Sequence, residues 1–294
     1  MEDAAQKDSF ADLFASPCGY FDNRTSHYTV FRLPTPEDSF EMIKQENPVN
    51  AERMNAETCQ QLIFDDLLAE GFRRADDYIY RADCPDCRKC IPIRLAVKTF
   101  KPSKSQRHTL KHNSDITLSI TSEAAQFVTD EKILLYSEYD KRHNPGTTKT
   151  QEEYKSELIQ MNGCIFPHKK PGQAKNTDSV CPVYSGTLNM EYRTTSENGG
   201  QGRLIGVGIV DAAVHSLSSN YFYYDISPET MKRSLGTYSI LREIDLCRRL
   251  TFEWYYLGYW LAECRKMVYK ANFNPHQLLK NSIWRTVENN NENL

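Results

Sequence analysis

The sequence of 294 residues contains no long run of apolar residues. A membrane-spanning helix needs about 20 consecutive and mainly apolar residues, so we expect no membrane partner. The first residues, MEDAAQKDSFADLF, are acidic and lack the positively charged and apolar segments of a signal peptide. We therefore expect a cytoplasmic protein.

A large net charge is also absent, since the formal charge at pH 7 is only −3. Bulk charge therefore does not indicate a nucleic-acid-binding protein. Its distribution is more informative, because residues 98–112 carry five Lys or Arg, two His and no acid. We expect Lys104 and Arg107 in this stretch to contact a confined polyanion, with an affinity that falls as salt rises. Ordinary solvated charge is the alternative.

Paired Cys-x-x-Cys motifs of the zinc-ribbon kind are missing, although the chain has nine cysteines. Three of them form the single run CPDCRKC, as Cys84, Cys87 and Cys90. Such short loops let several thiolates converge on zinc or an iron–sulfur cluster. The fourth ligand would be distant, either Cys18 or a histidine. A reduced turn without metal is the alternative, so a structural zinc or iron–sulfur cluster is left open.

Helical and strand patterns alternate along the chain. Apolar residues recur at helical spacing over 55–72, and helices are also predicted over 103–113 and 122–143, with Ser122 as the cap of the last one. Strand patterns occupy residues 77–82, 91–97, 116–121, 203–211 and 219–225. The last two are expected to be antiparallel neighbours. This alternation predicts a mixed α/β class.

The length allows two domains, since about 100–200 residues form one domain. We expect a smaller N-terminal domain with the cysteine cluster and the basic helix over residues 1–114. A second domain is expected over residues 115–285, and residues 286–294 form a polar tail.

The segment KRSLGTYSILREIDLCRRL predicts an amphipathic helix that begins next to a glycine. The free N–H groups of a helix start attract phosphate, and here the candidates are Arg233, Ser234, Gly236 and Thr237. An ordinary capped helix has the same pattern. EWYYLGYW predicts the next strand, and this order of strand, helix and strand is also used by acyltransferases of the GNAT type.

Several motifs occur together in an order typical of one family. They are CGYF, GFRR, YIYRADCPDCRKCIPIRLAV, FKPSKSQRHTLKHNSDI, LYSEYDKRH, RLIGVGIVD, YYDISPETMKRSLGTYSILREIDLCRRL and YYLGYWLAECRKMVYKANFNP. Over about residues 16–285 the sequence resembles the aminoacyl-tRNA–protein transferases of the N-degron pathway. It is most similar to the bacterial aspartate/glutamate leucyltransferase branch, which is related to the eukaryotic arginyltransferases.

The resemblance implies transfer of an amino acid from charged tRNA to the α-amine of proteins that begin with Asp or Glu. The partners would be aminoacyl-tRNA and such acceptor proteins, whose products are marked for proteolysis. The fold would be a GNAT-like acyltransferase domain preceded by the cysteine-bearing domain, and the chemistry would require no cofactor. Leucine is the expected donor. Phe21 stands where the eukaryotic branch usually has a second cysteine, which favours the bacterial branch. Arginine is the alternative donor, because residues 163–183 look longer than the bacterial norm.

The resemblance also suggests residues that contact the end of the tRNA. Unpaired bases stack on aromatic rings, and phosphates attract Lys and Arg. We expect Tyr259 and Trp260 to flank the terminal adenosine, with room for the backbone at Gly258. Burial in the core is the alternative for about half of the positions Tyr255, Tyr256, Leu257 and Met267.

The remaining tasks are to accept a proton from the attacking amine and to hold the acidic side chain of the acceptor. Asp225, at the end of an aromatic strand, is the candidate for holding or deprotonating the amine. Arg265, Lys266 and Lys270 are the candidates for the acidic side chain, which needs a cation once it loses its water.

Two other functions are compatible with parts of the sequence. A zinc-bearing nucleic-acid-binding module without catalysis would account for the cysteines and the basic stretches. An acetyltransferase that uses coenzyme A would fit the glycine at the helix start, but the usual alternation of Gly with Arg or Gln before that helix is missing.

Overall fold

In the computed structural model, residues 12–163, 186–195, 200 and 202–288 are described. The start of the chain, most of the long segment expected over 163–183 and residues 289–294 of the polar tail lie outside the described residues.

The first part of the chain forms a small antiparallel sheet of order β1-β2-β4-β3. Its strands are β1 (Asp12–Pro17), β2 (Thr25–Arg32), β3 (Arg73–Ala75) and β4 (Tyr78–Ala82). Three helices lie between β2 and β3, namely α1 (Pro36–Glu46), α2 (Pro48–Ala51) and α3 (Ala56–Ala69).

Helix α3 attaches this part to the rest of the molecule. The side chain of Asn55 accepts the Thr58 N–H at 2.8 Å and so caps the helix start. Phe64 and Leu68 are fully buried and share a cluster with Tyr256 from the last third of the chain. The helix expected over 55–72 is thus confirmed, and its apolar face positions β3.

The larger sheet has eight strands in the order β12-β11-β5-β10-β9-β8-β7-β6. These strands are β5 (Ile91–Ala96), β6 (Ile116–Thr121), β7 (Gly186–Thr194), β8 (Leu204–Ala212), β9 (Ser216–Tyr224), β10 (Trp254–Trp260), β11 (His276–Lys280) and β12 (Ile283–Val287). Its neighbouring strands pair antiparallel except for β9 and β10, which are parallel.

Helices cover both faces of this sheet. They are α4 (Lys104–His112), α5 (Asp130–His143), α6 (Gln151–Met161), α7 (Pro228–Met231) and α8 (Leu235–Arg249), together with the 3₁₀ helices Ala124–Gln126 and Val268–Asn272. Along β9, Phe222 and Tyr224 pack in the cluster that contains α8, whereas Tyr221 and Tyr223 pack with α5 and α6. Because side chains alternate along a strand, these clusters lie on opposite faces of the sheet.

The mixed α/β class is confirmed, and so are the predicted strands over 77–82, 91–97 and 116–121 and the antiparallel pairing of β8 with β9. The start of α5 was predicted wrongly. Thr129, not Ser122, caps this helix by accepting the Lys132 N–H at 3.4 Å.

Strand β5 belongs to the stretch assigned to the N-terminal domain, yet it pairs with β10 and β11 in the larger sheet. The domain boundary at residue 114 stays a prediction. Among the described residues, no helix has the length and apolar character needed to cross a membrane.

Candidate active site

The two parallel strands of the larger sheet separate after three residue pairs. β10 and β9 pair through Trp254 with Ser216, Tyr255 with Leu217 and Tyr256 with Ser218. Beyond this point β9 continues along β8, and β10 continues along β5. A gap therefore opens between the strands, and backbone groups on both sides of it lose their partners across the sheet.

Irregularities in both strands coincide with the gap. In β9 the register with β8 shifts at Asn220, and in β10 the register with β5 shifts between Tyr256 and Tyr259. Gly258 lies within the second shift and has a φ of 77°, which favours glycine. Such bulges bend strands away from a regular ladder and re-aim their side chains.

A cavity of about 130 Å³ lies at this gap. Its lining includes β9 and β10 residues on the two sides of the gap, Arg73 and Arg74 of β3, and Met267 and Lys270. Tyr20, Tyr80 and Tyr259 add aromatic rings. The cavity is therefore built from both sheets, and the small sheet supplies its two arginines.

The positive charge of Arg74 is balanced by a carboxylate and by backbone carbonyls. Its Nε donates to Asp211 Oδ2 at 2.8 Å, and both side chains are only 1% exposed. Its other nitrogens donate to the carbonyls of Asp76, Gly163 and Met161. Thr187 donates to the second oxygen of Asp211 at 2.9 Å. This buried ion pair is satisfied on both sides and contributes no free charge to the cavity.

The positive charges of Arg73 and Lys270 are not balanced by a carboxylate in the described part of the chain. Arg73 is buried and donates to the backbone carbonyls of Leu68, Phe72 and Gly258, while its Nε has no partner among the described residues. Lys270 Nζ donates to the carbonyls of Leu257 at 2.7 Å and Tyr259 at 2.8 Å. Neither cation forms an ion pair within the described part of the chain.

The two cations also repel each other. Burial lowers the pKa of Arg73, and the surrounding tyrosines only partly offset this effect. Burial and the neighbouring charge of Arg73 lower the pKa of Lys270 to about 7. An ammonium group has three N–H donors and a guanidinium group has five, so each side chain retains donors for an anion. The cavity is suited to a small group that carries negative charge.

A second cavity, of about 440 Å³, lies beside the first turns of α4 and α8. Ser103, Ser105 and Gln106 line it from the start of α4, and Thr237 lines it from α8. The segment from Tyr269 to Asn274 contributes further lining residues. Since Met267 and Lys270 line the first cavity, the 3₁₀ helix Val268–Asn272 lies between the two.

The start of α8 is open to a ligand. Ser234, the residue before the helix, has a φ of 54° and makes no side-chain capping bond. A Cβ on Gly236 would meet no atom within 4 Å, so the space above this backbone is free. Uncapped N–H groups at a helix start carry partial positive charge. The structure thus places Ser234, Gly236 and Thr237 at one accessible helix terminus.

The cations predicted to bind tRNA lie near this terminus. Arg233 directly precedes Ser234, and its Nη1 donates to Asp115 at 2.8 Å, which raises the pKa of Arg233. Lys104 and Arg107 are exposed on α4, the helix whose start lines the same cavity. Their contact with tRNA stays a prediction.

The two aromatic residues predicted to stack on a base are both buried. Tyr259 lines the first cavity, but its hydroxyl donates to the Gly71 carbonyl and accepts the Ala82 N–H. Trp260 is 6% exposed and belongs to the large core cluster. Packing covers its ring in this structure, and the stacking of Trp260 on an adenosine stays a prediction.

The three cations predicted to hold the acceptor's acidic group differ in their exposure. Arg265 and Lys266 are exposed in the turn after β10 and line neither of the two cavities. Lys270 alone of the three lines the first cavity. The geometry therefore favours Lys270 over the other two.

Asp225 does not have the surroundings of a base. Thr230 and Arg203 donate to its Oδ2 at 2.7 and 2.6 Å, and Ser227 donates to both oxygens at 2.9 Å. Burial alone would raise the pKa of Asp225, but these hydrogen bonds outweigh burial and lower it to about 2. The structure favours a role for Asp225 in fixing the segment before α7.

The four cysteines predicted as metal ligands lie close together but do not form a metal site. The Sγ of Cys84 is engaged by the backbone of His27, whose N–H lies 3.4 Å away. Burial and the thiols of Cys84, Cys87, Cys18 and Cys264 raise the pKa of Cys90 to about 12. No set of three or more His, Cys, Asp or Glu side chains in the described ranges could hold a metal ion. As arranged, these thiols do not fit a zinc or iron–sulfur cluster.

Sequence reasoning missed Arg73, Arg74 and Ser219 as residues of the cavity. The consecutive arginines of GFRR were a visible signal, because they follow a predicted helix and precede a strand. Ser219 gave no signal, since its position at the gap depends on how β9 and β10 diverge.

Two family models match this chain. One, described as the C terminus of arginine-tRNA-protein transferase, matches residues 131–280 and therefore includes both diverging strands and α8. The other, the N terminus of the same enzyme, matches residues 16–108. The chain therefore belongs to the family of aminoacyl-tRNA–protein transferases, and the resemblance stated from its motifs is confirmed.

Its curated relatives include proteins named aspartate/glutamate leucyltransferase. The protein of Saccharophagus degradans is 34% identical over 93% of this chain and 96% of its own length. The protein of Shewanella sp. (strain MR-4) is 36% identical over 78% of this chain and 83% of its own length. The similarity to the leucyltransferase branch thus extends over most of the chain.

Solved structures show a distant likeness. L-PGS from Bacillus licheniformis has a TM-score of 0.35 at 10% identity, with 85% of this chain and 68% of that chain covered. A GCN5-related glucosamine N-acetyltransferase region of a fungal β-N-acetylglucosaminidase has a TM-score of 0.36 at 10% identity, with 74% and 22% covered.

Proposed function

We propose that this protein transfers leucine from Leu-tRNA to the α-amine of proteins that begin with Asp or Glu, and so marks them for N-degron proteolysis. The family membership and the names of the relatives support the reaction. The observation that carries the acceptor specificity is a pair of cations at the gap between β9 and β10, Arg73 and Lys270, which have no carboxylate partner among the described residues.

In this proposal the acidic side chain of the acceptor enters the smaller cavity. A carboxylate that loses its water needs charge-assisted hydrogen bonds, and each such bond contributes about 1.5–3 kcal/mol. The remaining donors of Arg73 and Lys270 can supply them. An acceptor that begins with Ala would leave both cations without an anion, so the enzyme would discriminate against it.

The charged end of the tRNA would approach the larger cavity. The uncapped start of α8, with Gly236 and Thr237, offers backbone N–H groups to a phosphate. Lys104 and Arg107 on α4 would add attraction to the neighbouring nucleotides. The ester would then reach the wall between the cavities, near the 3₁₀ helix Val268–Asn272.

The chemistry itself requires no cofactor. An aminoacyl ester is already activated, and an α-amine with a pKa of about 7.7–8.0 is partly neutral near pH 7. Holding ester and amine together can remove several kcal/mol of the barrier. The remaining tasks are to take a proton from the amine and to stabilise the oxyanion.

Arginine is the second candidate donor, because both matching family models are described as arginine-tRNA-protein transferase. The two donors share the acceptor, the tRNA and the reaction. They differ only in the group carried on the ester.

The function is tested by transfer of labelled leucine, and separately of labelled arginine, from charged tRNA to peptides that begin with Asp, Glu, Lys or Ala. We expect leucine on the Asp and Glu peptides alone. Arginine on those peptides would keep the mechanism and change the donor. Transfer from neither tRNA by folded protein would contradict the proposal and favour a module that only binds nucleic acid.

The acceptor site is tested in the same assay with Arg73→Lys and Lys270→Met. Lys266→Met is the matched control, because Lys266 is an exposed lysine of the same segment. If the control reduces transfer to Asp peptides as much as Lys270→Met does, the smaller cavity is not the acceptor site.

A further inference from the structure

A row of contacting aromatic rings begins in the core at the start of α8. Tyr238 of α8 and Tyr192 of β7 are buried, with 5.9 Å between their ring centroids. Tyr192 contacts Phe222 of β9 at 5.7 Å, and Phe222 stacks on Tyr224 at 5.4 Å with 23° between the ring planes. Phe222 and Tyr224 are only half-buried, so the row leads from the core to the surface at the end of β9.

The row continues at the surface onto the end of α5. Tyr139 contacts Tyr224 at 5.2 Å and Tyr221 at 6.5 Å between ring centroids. His143 stacks on Tyr139 at 4.0 Å with 27° between the ring planes. His143 is exposed, and the three tyrosines are half-buried. These four residues, Tyr139, His143, Tyr221 and Tyr224, are called the aromatic patch below.

The aromatic patch lies on the edge of β9 that β10 leaves. Tyr221 and Tyr224 are three residues apart, so their side chains lie on opposite faces of the sheet. Tyr139 contacts both rings, and its own ring therefore crosses an edge of β9. β8 pairs with both tyrosines along one edge, whereas β10 pairs with β9 only as far as Ser218. The patch thus borders the gap, further along β9 than the smaller cavity.

The rings of the aromatic patch are held in place by the protein. The Nδ1 of His143 donates to the carbonyl of Tyr139 at 2.8 Å, which fixes the stacked pair. Tyr221 contacts the buried rings of Tyr136 and Tyr223 at 6.3 and 6.4 Å. A ligand that stacks here therefore binds rings that are already ordered, so little side-chain freedom is lost on binding.

A cation without a carboxylate partner accompanies the aromatic patch. Arg142 lies three residues after Tyr139 on α5, and this spacing places the two side chains on one face of the helix. Arg142 is exposed and forms no ion pair within the described ranges. Asp140 of α5 and Glu157 of α6 both pair with Lys149, at 3.0 and 2.8 Å. Arg142 is therefore available to an external anion.

Accessible rings beside a free arginine suit unpaired nucleotides. Every base has a face that stacks on an aromatic ring, and its phosphate attracts arginine. The negative face of an aromatic ring offers no attraction to the acidic side chain of the acceptor. The row of rings also connects the patch to α8, whose open start is the phosphate site proposed above.

We propose that the aromatic patch binds the unpaired bases at the 3′ end of the tRNA by stacking, and that Arg142 holds a phosphate of the same segment. The proposal rests on the transferase function proposed above. It assigns the end of α5 and the end of β9 to the donor, whereas the smaller cavity serves the acceptor.

The test measures the affinity of the full chain for two uncharged tRNAs, an intact leucine tRNA and the same tRNA without the unpaired nucleotides of its 3′ end. In Tyr139→Ala we expect Kd for the intact tRNA to rise about 10-fold or more, because a stacked base loses its ring. Tyr139→Phe keeps the ring and should bind within about twofold. Wild type and Tyr139→Ala should bind the shortened tRNA equally, because it lacks the stacked nucleotides.

The phosphate contact is tested with Arg142→Ala. We expect the slope of log Kd against log salt concentration for the intact tRNA to decrease by about 0.7, the value for one phosphate contact on a single strand. Lys141→Ala is the matched control, since Lys141 is also exposed but lies 6.0 Å from the ring of Tyr154 on α6. This control should leave the slope unchanged. An equal decrease in both variants would contradict a specific contact at Arg142.

Transfer assays separate this proposal from the proposed function. KM for an Asp peptide should change less than about threefold in Tyr139→Ala. An active wild type whose Tyr139→Ala variant keeps its Kd for intact tRNA overturns the assignment and leaves the proposed function intact. A loss of affinity that is equal for intact and shortened tRNA also overturns it. Binding of intact tRNA through Tyr139 without transfer of leucine or arginine would contradict the proposed function alone. If Tyr139→Ala does not fold, His143→Ala, which removes an exposed ring of the patch, takes its place with the same expectations.

Discussion

Arg73 and Arg74 are adjacent in the chain and line the same cavity, but within the described ranges only Arg74 has a carboxylate partner. Asp211 neutralises Arg74 at 2.8 Å, whereas Arg73 contacts backbone carbonyls and retains a buried Nε without a partner in the described part of the chain. One arginine thus serves the fold, and the other is available to an anion. The first two predictions separate these roles.

Replacement of Arg73 should affect the acidic acceptor more than the tRNA. In Arg73→Lys the charge remains but the fork of donors is lost, so we expect KM for an Asp peptide to rise about 10-fold or more. KM for the charged tRNA should change less than about threefold. Steady-state kinetics with each substrate varied in turn provide the measurement. An equal rise in both constants would contradict a specific role at the acceptor.

Replacement of Asp211 should affect stability first. Asp211→Asn leaves the buried charge of Arg74 without an anion, and we expect the free energy of unfolding to fall by about 3–5 kcal/mol. Urea denaturation at pH 7 gives this value. The double variant Arg74→Met with Asp211→Leu should lose less, because it removes both charges. A double variant that is less stable than Asp211→Asn would contradict this account of the pair.

The ionisation of Lys270 should control acceptor binding near neutral pH. Burial and Arg73 lower the pKa of Lys270 to about 7, so its charge increases as pH falls from 8 to 6. A carboxylate stays ionised over this range. An N-acetyl-Asp peptide, which has no titrating amine, should therefore inhibit more strongly at pH 6 than at pH 8. In Lys270→Met the inhibition constant should not change with pH.

The lowered pKa of Lys270 should also make the free energy of unfolding depend on pH. The pKa of Lys270 is lower in the folded protein than in the unfolded chain, so the unfolded chain binds more protons between about pH 7 and 10. The free energy of unfolding should rise with pH over this window in the wild type and rise less in Lys270→Met. Equal slopes in the two proteins would contradict a lysine that is desolvated in the folded state.

A methyl group at Gly236 should weaken donor binding without harming the fold. A Cβ there meets no protein atom within 4 Å, and alanine favours a helix by about 1 kcal/mol over glycine. We expect Gly236→Ala to keep or raise the melting temperature and to raise KM for charged tRNA about fivefold or more. A filter-binding assay across salt concentrations provides a second readout. Unchanged tRNA affinity would show that the start of α8 is not a phosphate site.

Asp225 should prove structural. Because its folded pKa of about 2 lies below its unfolded value, it contributes stability above about pH 4 that is lost as pH falls towards 2. We expect Asp225→Asn to lower stability at pH 7 by about 1 kcal/mol, a small value because the side chain of Arg203 is mostly exposed. The difference should vanish near pH 2, and kcat should change less than about fivefold. A 100-fold loss of kcat at unchanged stability would restore Asp225 as the base.

The local elements and the family could be predicted from the sequence. Helical spacing and caps act within a few residues, so α3, α4 and α8 were found close to their observed bounds. The start of α5 was misplaced because Ser122 and Thr129 are both competent caps, and hydrogen bonding in the folded chain selects Thr129. The motifs were specific enough to identify the transferase family.

Residue roles at the site were less predictable because they depend on burial and partners. Lys266 and Lys270 have the same chemistry and lie four positions apart, yet only Lys270 lines the cavity. Trp260 and Tyr259 are adjacent aromatics, and packing assigns Trp260 to the core. No local pattern distinguishes such neighbours.

The α/β class, the elements around the site and membership of the transferase family could be predicted without coordinates, because these depend on local spacing and on motifs. Long-range folding alone places Arg73, Ser219 and Lys270 around one cavity where β9 and β10 diverge. These residues come from three distant segments, and long-range strand pairing brings them together. Their charge and proton affinity follow from the burial that this pairing creates.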